Sequence, residues 1–166
     1  MRTPRAYAPE DGPRSAIGGQ VLEIDKQYIR QFAHYGYVYC MLLGKGFLPD
    51  QPAEEVLVSG GGDGRIRVWR IEPELAGAIT ELYTLEDFRE EGESVLSLAK
   101  EGSFLYSGRL DGEVNVWDLE TRQLVRSLKT GTGDVLTISI GGGFLFAGGV
   151  TGIIEVCSPP SASVHH

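Results

Sequence analysis

The chain has 166 residues, is 42% hydrophobic, and carries a net charge of −8, so it can bury a core of its own but lacks the basic stripe of a nucleic-acid binder. Its longest apolar run, Tyr37 to Leu43, is far too short for a membrane-spanning helix. Two cysteines, Cys40 and Cys157, cannot build a disulfide framework, so a reducing, cytoplasmic setting is expected, with no membrane and no nucleic acid as partner.

Residues 1–19 are rich in Pro, Gly, Arg and Ser without periodicity, and read as a flexible leader. No apolar run follows Arg2, Arg5 and Arg14, so no secretory signal is expected. In 20–32, Val21, Ile24, Tyr28 and Phe32 fall at helical spacing, which predicts a short helix or linker, with a strand through Val21 to Ile24 as the alternative. From residue 33 the pattern turns to short apolar runs separated by glycines, and the expectation becomes all-β. A first unit, about 33–85, has predicted strands at Tyr35 to Leu43, Val56 to Gly60, Arg65 to Ile71 and Ile79 to Leu85. The acidic stretch Glu86 to Glu93 reads as a solvated loop. A second unit, about 91–129, has strands at Val95 to Ala99, Phe104 to Gly108, Val114 to Leu119 and Gln123 to Leu128. A third, about 131–158, has Val135 to Ile140, Phe144 to Gly148 and Ile153 to Cys157. Pro159 and Pro160 then open the tail 159–166 and cannot continue a ladder, so the third unit is expected to lack a fourth strand.

One phrase recurs through these units. Ser59-Gly-Gly-Gly-Asp63-Gly64-Arg-Ile-Arg-Val-Trp69 returns as Ser107-Gly-Arg-Leu-Asp111-Gly112-Glu-Val-Asn-Val-Trp117, and again, eroded, as Ala147-Gly-Gly-Val-Thr151-Gly152-Ile-Ile-Glu-Val-Cys157. Asp-Gly between alternating strands is a strong hairpin signal, because Gly tolerates a positive φ at the turn. Four short antiparallel strands per unit, with a Trp closing the third, resemble the blade of a WD-repeat β-propeller. The resemblance covers 33–158 and implies about three four-stranded antiparallel blades, the third incomplete.

The same resemblance implies a structural hydrogen-bond set of Trp, Ser, His and Asp in each blade. The first unit matches it with His34, Ser59, Asp63 and Trp69. The second keeps Ser107, Asp111 and Trp117, with Glu91 where His is expected, so Asp111 should turn to backbone amides or water. The third keeps none of it, with Gly131, Ala147, Thr151 and Cys157 at those places.

His34, Ser59 and Asp63 also form a potential hydrolase triad, the competing reading. No Gly-x-Ser-x-Gly elbow accompanies them and Trp69 would cap the chain, so a structural role is favoured and no catalytic residue is assigned. No metal site or cofactor is expected. His165-His166 reads as adventitious or a tag remnant, and the glycine runs lack the Lys-Ser or Lys-Thr of a phosphate loop. Arg65, Arg67 and Arg70 read as a solvated face. The remaining candidate surface is the rim where first strands begin and turns lie beside them: Tyr35, Tyr37, Glu93, Arg109, Leu110 and Asp134, as protein-binding anchors.

Segments His34 to Leu43, Glu91 to Ser97 and Asp111 to Val125 are similar to the WD-repeat part of a fungal family, the di- and tripeptidase-like subunits of a glutathione-degrading complex. In that family a propeller precedes a zinc peptidase domain and works with an amidotransferase-like partner. The resemblance implies a cytosolic interaction scaffold for glutathione breakdown rather than the catalyst, and the family's metal ligands have no counterpart here. A nonfunctional truncated gene product is the remaining alternative. Three blades leave two apolar faces open, so the chain is expected to self-associate or meet further blades.

Overall fold

The computed structural model describes residues 16–17, 20–21, 29–75, 77–87 and 93–158. Strands β1 (Ala16–Ile17) and β2 (Gln20–Val21) pair antiparallel as a small ribbon. Of the segment 20–32, predicted as a short helix or linker, the described ends are strand at Gln20 and Val21, where the alternative reading began its strand at Val21, and a turn at Gln31 and Phe32. Gly18-Gly19 standing between the paired residues is a two-residue hairpin signal, and it competes with the helical spacing that begins at Val21. The rest of that segment, most of the proposed leader and the tail 159–166 lie outside the described residues.

Three meandering antiparallel sheets follow. The first is β3 (Val38–Gly44), β4 (Val56–Gly61), β5 (Ile66–Glu72) and β6 (Ala78–Leu85), with a 3-10 turn at Pro73–Leu75 between the last two. The second is β7 (Val95–Glu101), β8 (Phe104–Arg109), β9 (Glu113–Asp118) and β10 (Gln123–Lys129). The third has three strands, β11 (Val135–Gly141), β12 (Phe144–Gly149) and β13 (Ile154–Cys157). The expected strands all form, most of them a residue or so longer than their apolar runs. The first begins at Val38 rather than Tyr35, because Gly36 sits at φ 116 and holds the chain out of extended pairing. The ladder slips by one residue near the start of each first strand, between Val38 and Cys40, Val95 and Ser97, and Val135 and Thr137. A bulge at the same place in three sheets gives each the same added twist.

The sheets stack face to face. Val56, Val58, Ile66 and Val68 of the first sheet pack against Val95, Leu105, Trp117 and Leu119 of the second. Tyr106, Val114 and Val116 of the second pack against Val135, Ile138, Leu145 and Ala147 of the third. The repeated Ser-Gly step is explained by this stacking. A side chain at Gly60 would run into Val95 of the next sheet, and one at Gly108 into Val135. The strand beneath supplies a polar tie at each junction: Ser97 Oγ donates to Val135 O at 3.1 Å, and Cys40 Sγ leans on Val95 O at 3.7 Å. Burial pushes the Cys40 thiol up to about 11, against a smaller opposing effect of its hydrogen bond to Gly60, so the group is an inert packing residue.

Candidate functional site

Antiparallel meanders put the start of each first strand and the turn between the second and third strands at the same end of the sheet. Val38 lies opposite Gly61, Val95 opposite Arg109 and Val135 opposite Gly149. The recurring phrase builds that end. Gly64 at φ 72, Gly112 at φ 83 and Gly152 at φ 76 take the same left-handed turn position in the three sheets.

In the first sheet the four expected residues come together. His34 Nδ1 lies 2.8 Å from Asp63 Oδ1 and Nε2 lies 2.7 Å from Ser59 Oγ, while Trp69 Nε1–H donates to Ser59 Oγ at 2.9 Å. The proton directions follow. The indole can only donate and the carboxylate can only accept, so Nδ1–H donates to Asp63 and the Ser59 hydroxyl donates to Nε2. Asp63 also accepts the backbone N–H of Tyr35 at 3.1 Å and of Arg65 at 3.2 Å. Burial alone would raise its pKa; the His34 hydrogen bond and those two amides outweigh burial and hold the carboxyl below its ordinary range. Gly61 makes the room, since a side chain there would overlap the His34 ring.

This has the connectivity of a Ser-His-Asp triad but not its access. Ser59 and His34 are buried, Trp69 is 1% exposed, and its indole N–H already occupies the serine oxygen. The set spans from residue 34 to residue 69 and ties the chain ahead of β3 to the turn after β4.

The second sheet reaches the same end by other means. Trp117 Nε1–H donates to Ser107 Oγ at 3.0 Å, as in the first. Asp111 accepts the backbone amide expected of it, Glu113 N–H at 3.0 Å, and gains a second partner that was not expected, the guanidinium of Arg109, whose Nη2 lies 2.8 Å away. Arg109 occupies the repeat position that Gly61 holds in the first sheet. One sheet has a glycine that admits a histidine from outside the strand; the other has an arginine that brings its own cation. Arg109 also pairs with Asp87 at 3.5 Å and is only 4% exposed. It was expected as a surface anchor, and it is instead part of the fastening. Glu91, at the histidine position, lies outside the described residues. The signal for this swap was in the sequence: Ser-Gly-Gly becomes Ser-Gly-Arg exactly where the histidine is lost. Asp87 carried no such signal, because its place is set by the loop and not by the repeat.

The third sheet replaces the set with threonines. Thr151, at the aspartate position, donates from Oγ1 to Thr132 O at 3.0 Å, and Thr132 is fully buried. Of the rim candidates, Tyr35, Tyr37 and Leu110 are exposed, Glu93 and Asp134 are half-buried, and Tyr37 packs edge-on against Tyr39 at 5.8 Å. The three arginines of β5 and its turn are each matched to a carboxylate: Arg65 to Glu86 at 2.9 Å, Arg67 to Glu81 at 2.9 Å and Arg70 to Glu54 at 2.8 Å. Among the described residues there is no group of three or more His, Cys, Asp or Glu that could hold a metal ion, and no helix long and apolar enough to cross a membrane.

Meandering antiparallel sheets stacked face to face, the two four-stranded ones each closed by a Trp–Ser pair beside an Asp-Gly turn, define a WD-repeat protein. The family model for the WD domain, G-beta repeat, matches residues 26–70 and 80–118, and the chain belongs to that family. It is similar to a probable di- and tripeptidase, DUG2, of Saccharomyces cerevisiae, at 30% identity over 146 residues. That match takes in 82% of this chain but only 16% of the relative's length. Among solved structures it is similar to the computationally designed Ika8 protein, with a TM-score of 0.50 and 28% identity over 63% of this chain and 30% of that one.

Proposed function

We propose that the chain is a protein-interaction scaffold, the WD-repeat portion of a subunit in a cytosolic complex that degrades glutathione and small peptides. The similarity to a probable di- and tripeptidase across most of this chain, confined to 16% of that relative, is the observation that carries this reading. On this reading the chain supplies the interaction surface of such a subunit rather than its peptidase chemistry. The partner is an amidotransferase-like subunit, met at the rim by Tyr35, Tyr37 and Leu110. These are exposed apolar and aromatic groups on one end of the sheets, the residue types that anchor interfaces. Glu93 and Asp134 flank them as polar contacts.

The competing hydrolase reading requires Ser59 to reach a substrate, and its hydroxyl is buried with both hydrogen-bonding roles taken by His34 and Trp69. Co-purification with the amidotransferase-like subunit, followed by titration calorimetry, tests the proposal. Binding is expected to weaken by about tenfold or more in Tyr35→Ala and Tyr37→Ala, a loss of roughly 1.4 kcal/mol each or greater. Absence of binding by the unaltered chain, or dipeptide hydrolysis by the chain alone, would contradict it.

A further inference from the structure

Losing the histidine in the second sheet affects more than the aspartate. In the first sheet Ser59 both accepts and donates: it takes the Trp69 indole hydrogen and gives its own to His34. Ser107 stands at the same repeat position, is fully buried, and accepts from Trp117 at 3.0 Å. Its own hydroxyl hydrogen has no acceptor among the described residues. Arg109 cannot relieve it, because a guanidinium only donates, and this one faces Asp111 and Asp87. Asn115 lies opposite Ser107 across the ladder, as Arg67 lies opposite Ser59, and is 2% exposed. Its carboxamide oxygen accepts from Ser127 Oγ at 2.7 Å, whereas its Nδ2 amide has no acceptor among the described residues. A buried donor without an acceptor is costly, and here two stand side by side.

Both line one cavity at the junction of the first and second sheets, together with Trp117 and Arg109. The centre of a water molecule can range over about 30 Å³ of it. The half-buried carboxylates Asp63, Glu86, Asp87 and Glu93 line it as well. This lining selects its guest. A bare cation can accept from neither Ser107 nor Asn115, and four carboxylates repel an anion. An imidazole does not fit as it does in the first sheet, where Gly61 makes room for the ring, because Arg109 holds that position. What remains is a small neutral molecule that accepts from the two buried donors and donates to the carboxylates. Water does both, and at roughly 10–15 Å³ of such space per molecule about two fit. We propose that this cavity is a buried-water site, in which water accepts from Ser107 the hydrogen that His34 accepts from Ser59. The site goes beyond the scaffold reading and does not depend on any partner. The first fastening is closed by a side chain, and the second is bridged by solvent.

The test is water–protein cross-relaxation measured by NMR on the isotope-labelled full chain. The Trp117 indole N–H and the Asn115 side-chain NH2 report on the cavity. The Trp69 indole, in the same bond to a serine but with His34 in place, is the internal control. The expected result is contact with a long-lived water, seen as NOE and ROE peaks of opposite sign, at Trp117 and Asn115 and not at Trp69. Absence of such peaks from both Trp117 and Asn115 overturns the proposal. So do equal peaks at the two indoles, which would mean relay through an exchanging serine hydroxyl. A high-resolution crystal structure gives a second reading. Density for a water within hydrogen-bond distance of both Ser107 Oγ and Asn115 Nδ2 is expected, and a protein side chain or a salt ion in that place would overturn the assignment.

Discussion

His34 does its work by being neither exposed nor free. Its two ring nitrogens are held at 2.8 and 2.7 Å between a carboxylate and a hydroxyl, and the hydroxyl is held in turn by an indole. Each group has a partner, the condition under which a buried polar network is favourable. The net effect on Asp63 gives a sign to the pH dependence. A carboxyl whose folded pKa lies below its unfolded value contributes stability above the unfolded value, and that contribution is lost as pH falls through the folded one. Denaturant unfolding followed by tryptophan fluorescence should therefore show stability falling as pH drops below about 4. Asp63→Asn should flatten that dependence while lowering stability at neutral pH. An unchanged acid profile in this variant would assign the loss to other carboxylates.

At the scale of the strand and turn, the repeat is a fixed frame with an exchangeable fastening. The Trp–Ser bond is common to the first two sheets, and the side chain that pairs with the aspartate differs: a histidine from ahead of β3, or Arg109 from within β8. Arg109→Ala should cost about 3 kcal/mol, because it leaves Asp111 and Asp87 together without the cation between them. Arg109→Lys should recover only part of that, since an ammonium cannot span two carboxylates with a planar fork. Equal stability of the alanine variant and the unaltered chain would show that the pair carries no weight.

This level was partly legible in the sequence. Asp63-Gly64 and Asp111-Gly112 marked turns that form, and Ser59, Trp69, Ser107 and Trp117 marked bonds that form. The helical spacing from Val21 to Phe32 did not predict the strand at Gln20 and Val21, because a spacing rule weighs apolar positions and ignores the Gly-Gly pair just before them. Arg109 read as an anchor because arginine prefers surfaces. Only its place at the repeat position of Gly61, beside an aspartate missing its histidine, shows why it is buried. Asp87 was out of reach, since its contact depends on the path of a loop.

Across the whole molecule, the sheets are held by apolar stacking through two cores and stitched at one end by the recurring polar sets. The first set joins residues 34 and 69, and so fastens the chain ahead of the first sheet to the rest of the stack. We propose that this set is structural and that the stack is a scaffold. Equilibrium unfolding of His34→Ala, run beside an ester- and dipeptide-hydrolysis assay, tests it most directly. The expected result is a loss of about 1–3 kcal/mol in unfolding free energy, with no turnover by either protein. Unchanged stability together with hydrolysis by the unaltered chain that disappears in the variant would contradict it.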